Sequence, residues 1–277
     1  MPTLRSLLDE QSTLVVVECH NVLSARIVAA RGYRATYLGG STVAALNAGL
    51  PDHGLVSTRE ILDQAAHITG AVDIPLIVDA DQGGETILNV HRCVRDFEHA
   101  GIAAIHLEDT TNPKHLFTDD DQLVPLDVMR ARIGTAVAAR RSDEFLIIAR
   151  TDERVNRGGI DETIRRGQAF AEEGADVFMA PALGRLADLR AVIEAVPIPV
   201  LDINVPVERA REAGLAIDLF AGISLPGLMR AQHELIDGIE RCGRVGRDAY
   251  AEPEGFPDLV GDAIYRRLAK RWQTLEH

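Results

Sequence analysis

The strongest constraint on the fold is an alternation that runs the length of the chain. Short apolar runs rich in β-branched residues lie at 14–17, 35–38, 75–78, 103–107, 145–149, 177–179, 199–201 and 217–220. Segments of helical periodicity follow at 22–30, 58–69, 88–99, 126–139, 161–173, 186–195, 207–213 and 226–239. Runs so short and so apolar read as strands buried on both faces, as in parallel sheets. Several helical segments end in Ala-Gly or Glu-Gly, a stop signal in which glycine closes the last turn. Eight consecutive βα units predict an α/β fold, a (β/α)8 TIM barrel rather than an open doubly wound sheet. At 277 residues and 46% apolar, the chain is long enough to bury one such core. Residues 1–247 are read as the barrel, and 248–277 as a C-terminal extension with a final helix at 259–275. Leu259, Val260, Ile264, Tyr265, Leu268 and Trp272 give that helix an apolar stripe, to be covered by its own barrel or by a neighbouring subunit.

In such a barrel, chemistry sits at the C-terminal strand ends. The third strand ends in Val78-Asp79-Ala80-Asp81-Gln82-Gly83-Gly84, an apolar run stopped by two carboxylates and two glycines. Acids at i and i+2 of an extended chain share a side and repel, unless a cation lies between them. Mg²⁺ is the usual solution, held by one or two carboxylates and keeping open positions for a ligand. The other ends supply Tyr37, Gly39, Gly40 and Ser41, then Asp52; His106, Glu108 and Asp109, then Lys114; Arg150, Thr151 and Asp152; and Asp202 and Asn204. Arg150 can fork onto a carboxylate, and the Gly39–Gly40–Ser41 amides can receive an anion. The competing reading pairs Arg150 with Asp152 in a structural network.

The formal net charge of −13 argues against nucleic acid or an anionic membrane as partner. Lys114 and Lys270 are the two lysines of an arginine-dominated chain. Cys19, Cys93 and Cys242 show no disulfide or zinc spacing, which suggests reduced thiols in the cytoplasm. No run approaches the length of a membrane span, and the N-terminal residues read as the start of an amphipathic helix.

Across roughly residues 21–239 the sequence resembles the isocitrate lyase/phosphoenolpyruvate mutase superfamily. The resemblance rests on Tyr37-Leu-Gly-Gly-Ser41, Gly49-Leu-Pro-Asp52, Val78-Asp79-Ala-Asp81-x-Gly83, Asn89-Val90, the segment from Glu98 to Asp109, Pro113-Lys114, and Ile147-Ile-Ala-Arg150-Thr-Asp152. It implies a barrel whose last helix is exchanged between subunits, within a homotetramer built as a dimer of swapped dimers. It also implies Mg²⁺ or Mn²⁺ and a small 2-oxo or 2-hydroxy carboxylate. Asp79, Asp81 and Glu108 would form the metal shell, partly through water. Asp52 would be a further active-site acid. Tyr37, Gly39, Gly40, Ser41 and Asn204 would join Asp79 and Arg150 around the substrate. Lys114 would be the charged residue at the base of a gating loop.

Departures from the family pattern narrow the chemistry. Where its carbon–carbon lyases carry a loop cysteine as acid/base, this chain has Leu116, and Met179-Ala-Pro-Ala182 replaces a glutamate after the sixth strand. The phosphonate enzymes' Thr-Asn-Ser after the lysine is also absent, and Glu85 stands where glycine is usual. His115 could serve as an alternative acid, since imidazole titrates near neutrality, or could be an idle solvated loop residue. His106 is expected to pack within the fourth strand. Decarboxylation survives without the cysteine, because water can protonate a metal-stabilised enolate. The expectation is therefore a Mg²⁺-dependent lyase acting on a 2-oxo diacid such as oxaloacetate. The alternatives are phosphonopyruvate hydrolase or mutase-type P–C chemistry, a methylisocitrate-lyase-like activity, and a non-catalytic 2-oxo acid binder.

Overall fold

The computed structural model describes residues 2–114, 123–156, 159–244 and 253–273. The chain divides into two units, Met1–Ser224 and Leu225–His277. In the first, eight parallel strands close in chain order: β1 Leu14–Glu18, β2 Thr36–Leu38, β3 Leu76–Asp79, β4 Ala104–Glu108, β5 Leu146–Arg150, β6 Val177–Met179, β7 Val200–Ile203 and β8 Ile217–Phe220. β8 pairs back onto β1, with Leu14 opposite Ile217. The helices of this unit are α1 Leu4–Leu8, α2 Val22–Ala30, α3 Gly40–Val43, α4 Thr58–Thr69, α5 Ile87–His99, α6 Leu126–Ala139, α7 Glu153–Asn156, α8 Ile160–Glu172, α9 Leu186–Ala195 and α10 Val207–Ala213.

Alternation along each strand builds two cores. Val16, Ile77, Ile148, Leu201 and Leu219 point inward and fill the barrel, whereas Leu38, Val78, Ile105 and Ile147 point outward against the helices. Leu4 and Leu7 of α1 join the inner cluster, so the N-terminal residues belong to the barrel. Helix starts are fixed by side chains: Asn21 with Ser24, Ser57 with Glu60, and Thr86 with Asn89 form reciprocal capping boxes. Of the glycine stops read in the sequence, Gly101, Gly174 and Gly214 do adopt positive φ.

Two expectations are corrected. The stretch after β2, read above only as the Gly39–Gly40–Ser41 anion cradle, is α3 running into a π-helical turn at Ala44–Ala48. The final helix expected at 259–275 is broken: α12 Phe256–Val260 stops at Gly261, whose φ of 71° turns the chain before α13 Asp262–Gln273. The second unit comprises most of α11 Ser224–Cys242 together with α12 and α13, so the division falls earlier than the expected 247/248 boundary. Neither α11 nor α13 contains a buried residue, and Ile264, Tyr265, Leu268 and Trp272 of α13 are exposed. Among the described residues, no helix is long and apolar enough to cross a membrane.

Candidate active site

The acids expected to meet at the strand ends do meet, but by a different local geometry. Asp79 is the last residue of β3, and Asp81 lies beyond it with φ 49°. The two are therefore not on one face of an extended strand. The chain turns at Asp81, closed by Gly83 N donating to Ala80 O at 2.8 Å, and Asp81 N donates to Asp79 Oδ1 at 2.9 Å. β4 then delivers Glu108, whose amide donates to Asp81 O at 2.9 Å. One oxygen from each of Asp79, Asp81 and Glu108 falls within 4.8 Å of the others, and all three residues are buried. Close approach of α3 leaves little room here beyond a glycine. A Cβ on Gly40 would lie 3.1 Å from Asp79 Oδ2 and 3.2 Å from Asp81 Oδ1.

Lys114 neutralises this cluster. Its ammonium contacts Asp81, lies 2.9 Å from Asp52 and 3.7 Å from Glu108, and its side chain is 1% exposed. Burial alone would favour loss of its proton, but Asp79, Glu108, Asp81 and Asp52 together hold it charged, well above the ordinary lysine value. Burial and the neighbouring Asp79 charge push Asp81 up to about 7, against the pull of Lys114. Burial also opposes ionisation of Asp79, yet His106, Lys114 and Arg150 hold it well below the usual carboxylate range. The β2 loop and the β4 loop meet around Lys114. His53 Nδ1 lies 3.0 Å from Lys114 O, and Gly54 packs so closely on Asn112 that a Cβ would come within 2.5 Å of Asn112 Oδ1.

Arg150 is engaged by acids of its own barrel. It donates to both carboxylate oxygens of Asp152, at 2.7 and 2.9 Å, and reaches Glu108 Oε2 at 3.1 Å. The structural pairing and a position beside the acid cluster thus hold together. Gly39 caps α3, and the Gly40 amide expected to receive substrate donates to Asp79 Oδ2 at 3.1 Å, while Ser41 is exposed. Tyr37 faces the barrel interior, its hydroxyl 3.0 Å from His106 Nε2 and its ring stacked on that imidazole. Asn204 is held away from the acids by donating to Ala221 O at 3.0 Å, so no described contact joins it to them. His115 and Leu116 lie outside the described residues.

Two supporting contacts that sequence reasoning did not foresee brace the acids, at His106 and at Gln82, and a further buried acid, Glu18, lies at the end of β1. His106 Nε2 is 3.5 Å from Asp79 Oδ1, which makes the Tyr37–His106 pair the floor of the cluster. Gln82 donates to Glu108 Oε1 at 3.2 Å and to Thr110 Oγ1 at 2.9 Å; its place inside the Asp81-Gln82-Gly83 turn was the available signal. Glu18, ending β1, is buried and accepts from Thr42 Oγ1 and from the amides of Ile223 and Ser224. All-oxygen donors of this kind fit a hard divalent ion. The glycine that leaves room above Asp79 and Asp81 fits it as well, as does Glu108 Oε2, which among the described residues makes no hydrogen bond and pairs with Arg150.

The phosphoenolpyruvate phosphomutase family matches residues 4–225. A probable 2-methylisocitrate lyase 2 from Corynebacterium glutamicum is 40% identical over 182 residues, which is 65% of this chain and 58% of that protein. Oxaloacetate acetylhydrolase, solved with its product oxalate, superposes with a TM-score of 0.87 at 28% identity, covering 97% of this chain and 96% of that one. Phosphonopyruvate hydrolase, solved with oxalate and Mg²⁺, gives a TM-score of 0.87 at 27% identity over 98% of both chains.

Proposed function

Because the chain belongs to the phosphoenolpyruvate phosphomutase family, within the isocitrate lyase/phosphoenolpyruvate mutase superfamily, we propose that it is a Mg²⁺-dependent carbon–carbon lyase that decarboxylates a small 2-oxo diacid such as oxaloacetate. The observation that carries this reading is the buried Asp79, Asp81 and Glu108 convergence with Arg150 beside it. Mg²⁺ bound there would supply a Lewis acid for the 2-oxo oxygen and the adjacent carboxylate.

The chain's own residues do the rest. The Gly40 amide and the Tyr37–His106 pair fix Asp79, and Gln82 fixes Glu108. Arg150, its orientation fixed by Asp152, presents a rigid cation to the charge that grows on the substrate oxygen. Lys114 and Asp52 close the side of the site from the loops. The C3–C4 bond of the diacid breaks, C4 leaves as CO₂, and its electron pair passes to C3 and the C2 oxygen. A water proton then restores C3, so no side-chain acid is required, in keeping with Leu116 at the family's cysteine position. Oxalate, bound together with Mg²⁺ in the structurally similar phosphonopyruvate hydrolase, supports the reading because it has the planar pair of adjacent oxygens of a 2-oxo acid enolate.

A second reading, cleavage of a 2-methylisocitrate-type acid, is favoured by the name of the Corynebacterium relative. A panel of oxaloacetate, phosphonopyruvate, 2-methylisocitrate and dimethylmalate with Mg²⁺ separates the two. The expected outcome is pyruvate release from oxaloacetate faster than with free Mg²⁺, and slow or absent cleavage of the others. Efficient methylisocitrate cleavage would install the second reading, and oxaloacetate loss no faster than with Mg²⁺ alone would remove the first.

A further inference from the structure

The mouth of the barrel is chemically divided. The strand register marks one inward residue per strand at the C-terminal rim: Glu18 pairs with Tyr37, Glu108 with Arg150, and Arg150 with Met179. Continuing by two residues along each strand places Ile203 beyond Leu201, which pairs with Met179, and Ala221 beyond Leu219, which pairs with Ile203. Met179, Ile203 and Ala221 all pack with the inner cluster of the barrel. The rim is thus polar from β1 to β5 and apolar from β6 to β8.

The acids on β7 and β8 do not alter this division. Asp202 and Asp218 alternate with the inward residues and face the helix layer, where they accept from Gly184 N and Val205 N, each at 3.2 Å. Among the described residues, the two cations touching the acid cluster are Lys114 and Arg150, and both lie on the polar side, already paired with acids. Across the closed barrel from Asp79, Asp81 and Glu108, a ligand anchored there faces strand ends whose inward side chains, Met179, Ile203 and Ala221, carry no charge and no hydrogen-bonding group, with the Asn204 amide beside them turned onto Ala221 O.

Such a wall treats two kinds of substrate differently. A carboxylate that becomes CO₂ loses its charge as the bond breaks. An apolar surface disfavours the ionised ground state, and it does not disfavour the transition state to the same extent. A carboxylate that stays ionised through the reaction, as on the fragments released from a tricarboxylic acid, is disfavoured throughout and gains nothing. We propose that Met179, Ile203 and Ala221 are specificity-determining side chains that receive the leaving carboxylate of a 2-oxo diacid and exclude substrates whose far end keeps its charge. This rests on the 2-oxo acid lyase reading above and names its substrate class more narrowly.

Binding of inert probes to the full-length protein tests the wall apart from turnover. With Mg²⁺ present, calorimetry would compare oxalate, which has no tail, with 4-methyl-2-oxopentanoate, whose tail is neutral, and 2-oxoglutarate, whose tail is charged. The expected result is that oxalate binds and the neutral tail is preferred over the charged one by about tenfold or more. Ile203→Lys should reverse that preference. With oxaloacetate the same variant should lower KM and kcat together, since a cation would stabilise the ground-state carboxylate, whereas Ile203→Leu should retain the wild-type pattern. If oxalate binds but wild type takes the charged tail as well as the neutral one, the wall has no such role, whatever the variant does. If oxalate does not bind with Mg²⁺, the 2-oxo acid reading itself falls and the wall inference with it.

Discussion

Replacing Lys114 by methionine probes how the acid cluster is balanced. The side chain stays unbranched, is one atom shorter, and loses its charge. The ammonium it removes is 1% exposed, contacts Asp81, and lies 2.9 Å from Asp52 and 3.7 Å from Glu108. Stripping one partner from a buried ion pair costs about 3–5 kcal/mol, because the remaining charges stay desolvated and uncompensated. For a domain of this size each 1 kcal/mol moves Tm by about 2–4 °C, so the variant should melt about 6–20 °C lower in chelator. A divalent ion should repair the loss by binding where the ammonium was. At about 100 times its Kd, a ligand specific to the native state returns about 2.7 kcal/mol. The assay is thermal unfolding in EDTA and in Mg²⁺ or Mn²⁺, with Mn²⁺ affinity measured in parallel by electron paramagnetic resonance. Lys114→Met should gain more from metal than wild type does, and bind Mn²⁺ more tightly, because a competing cation has gone. Equal metal-dependent gains in the two proteins would refute the reasoning: Lys114 would then not be the charge that balances the triad.

Four further outcomes follow from the same geometry. Gly40→Ala should lower divalent-ion affinity by about tenfold or more while leaving the fold intact, since a Cβ 3.1 Å from Asp79 Oδ2 forces the carboxylates aside in a backbone that accepts alanine; unchanged Mn²⁺ binding would count against the site. Arg150→Lys should depress both substrate affinity and turnover, because an ammonium cannot keep the fork onto Asp152 and still reach Glu108; wild-type kinetics would make Arg150 a purely structural pair. Burial raises the Asp202 carboxyl to about 6, and the unfolded chain titrates near 4, so its protonated form is favoured in the native state. That contribution is full below about pH 4 and is lost as pH rises through about 6; Asp202→Asn should therefore show a smaller decline in denaturant midpoint across that window, and an identical pH profile would refute the assignment. We also expect self-association to require the C-terminal segment, so a chain truncated before Pro253 should give monomers or aggregates by light scattering where the full chain gives oligomers.

The barrel was legible in the sequence because short, largely apolar runs alternate with helical segments eight times in succession. Val177–Met179 and Ile217–Phe220 fall where the pattern put them, and the other strands shift by one or two residues. Less legible was anything decided by backbone φ or by tertiary approach. Asp79 and Asp81 were recognised as a pair, but their convergence comes from a left-handed residue at Asp81, and nothing in an i, i+2 spacing encodes that. α3 was hidden because Gly40 and Ser41 are weak helix formers; the helix stands because Gly39 O accepts from Val43 N, and glycine at 40 lets it lie close over the acids. Gly261 was read as an ordinary position within an apolar stripe, although its positive φ ends one helix and precedes another. Tyr37 and His106 were invisible as a pair because a contact between residues 37 and 106 leaves no local signal.

Acids at strand ends were the chief functional argument from sequence, and several buried carboxylates at the rim do something else. Glu18 on β1 accepts from the amides of Ile223 and Ser224 after β8. Asp202 on β7 accepts from Gly184 N after β6, and Asp218 on β8 from Val205 N after β7. Asp109 after β4 accepts from Asp152 N and Thr151 Oγ1 after β5. Each uses a buried carboxylate to hold the loop of an adjoining strand, because loop amides at a barrel rim have no ladder partner and a charged acceptor satisfies them strongly. Asp79 follows the same rule when it accepts from Gly40 N. What sets it apart is the company it keeps. Here the loop it anchors brings a glycine rather than a side chain over the carboxylate, and the turn at Asp81 and the end of β4 add two more acids within 4.8 Å. Among the described residues, this anchoring device is joined by enough converging acids to hold a cation at the β2–β4 seam. The separation between structural and chemical acids in this chain is therefore one of convergence, not of residue type.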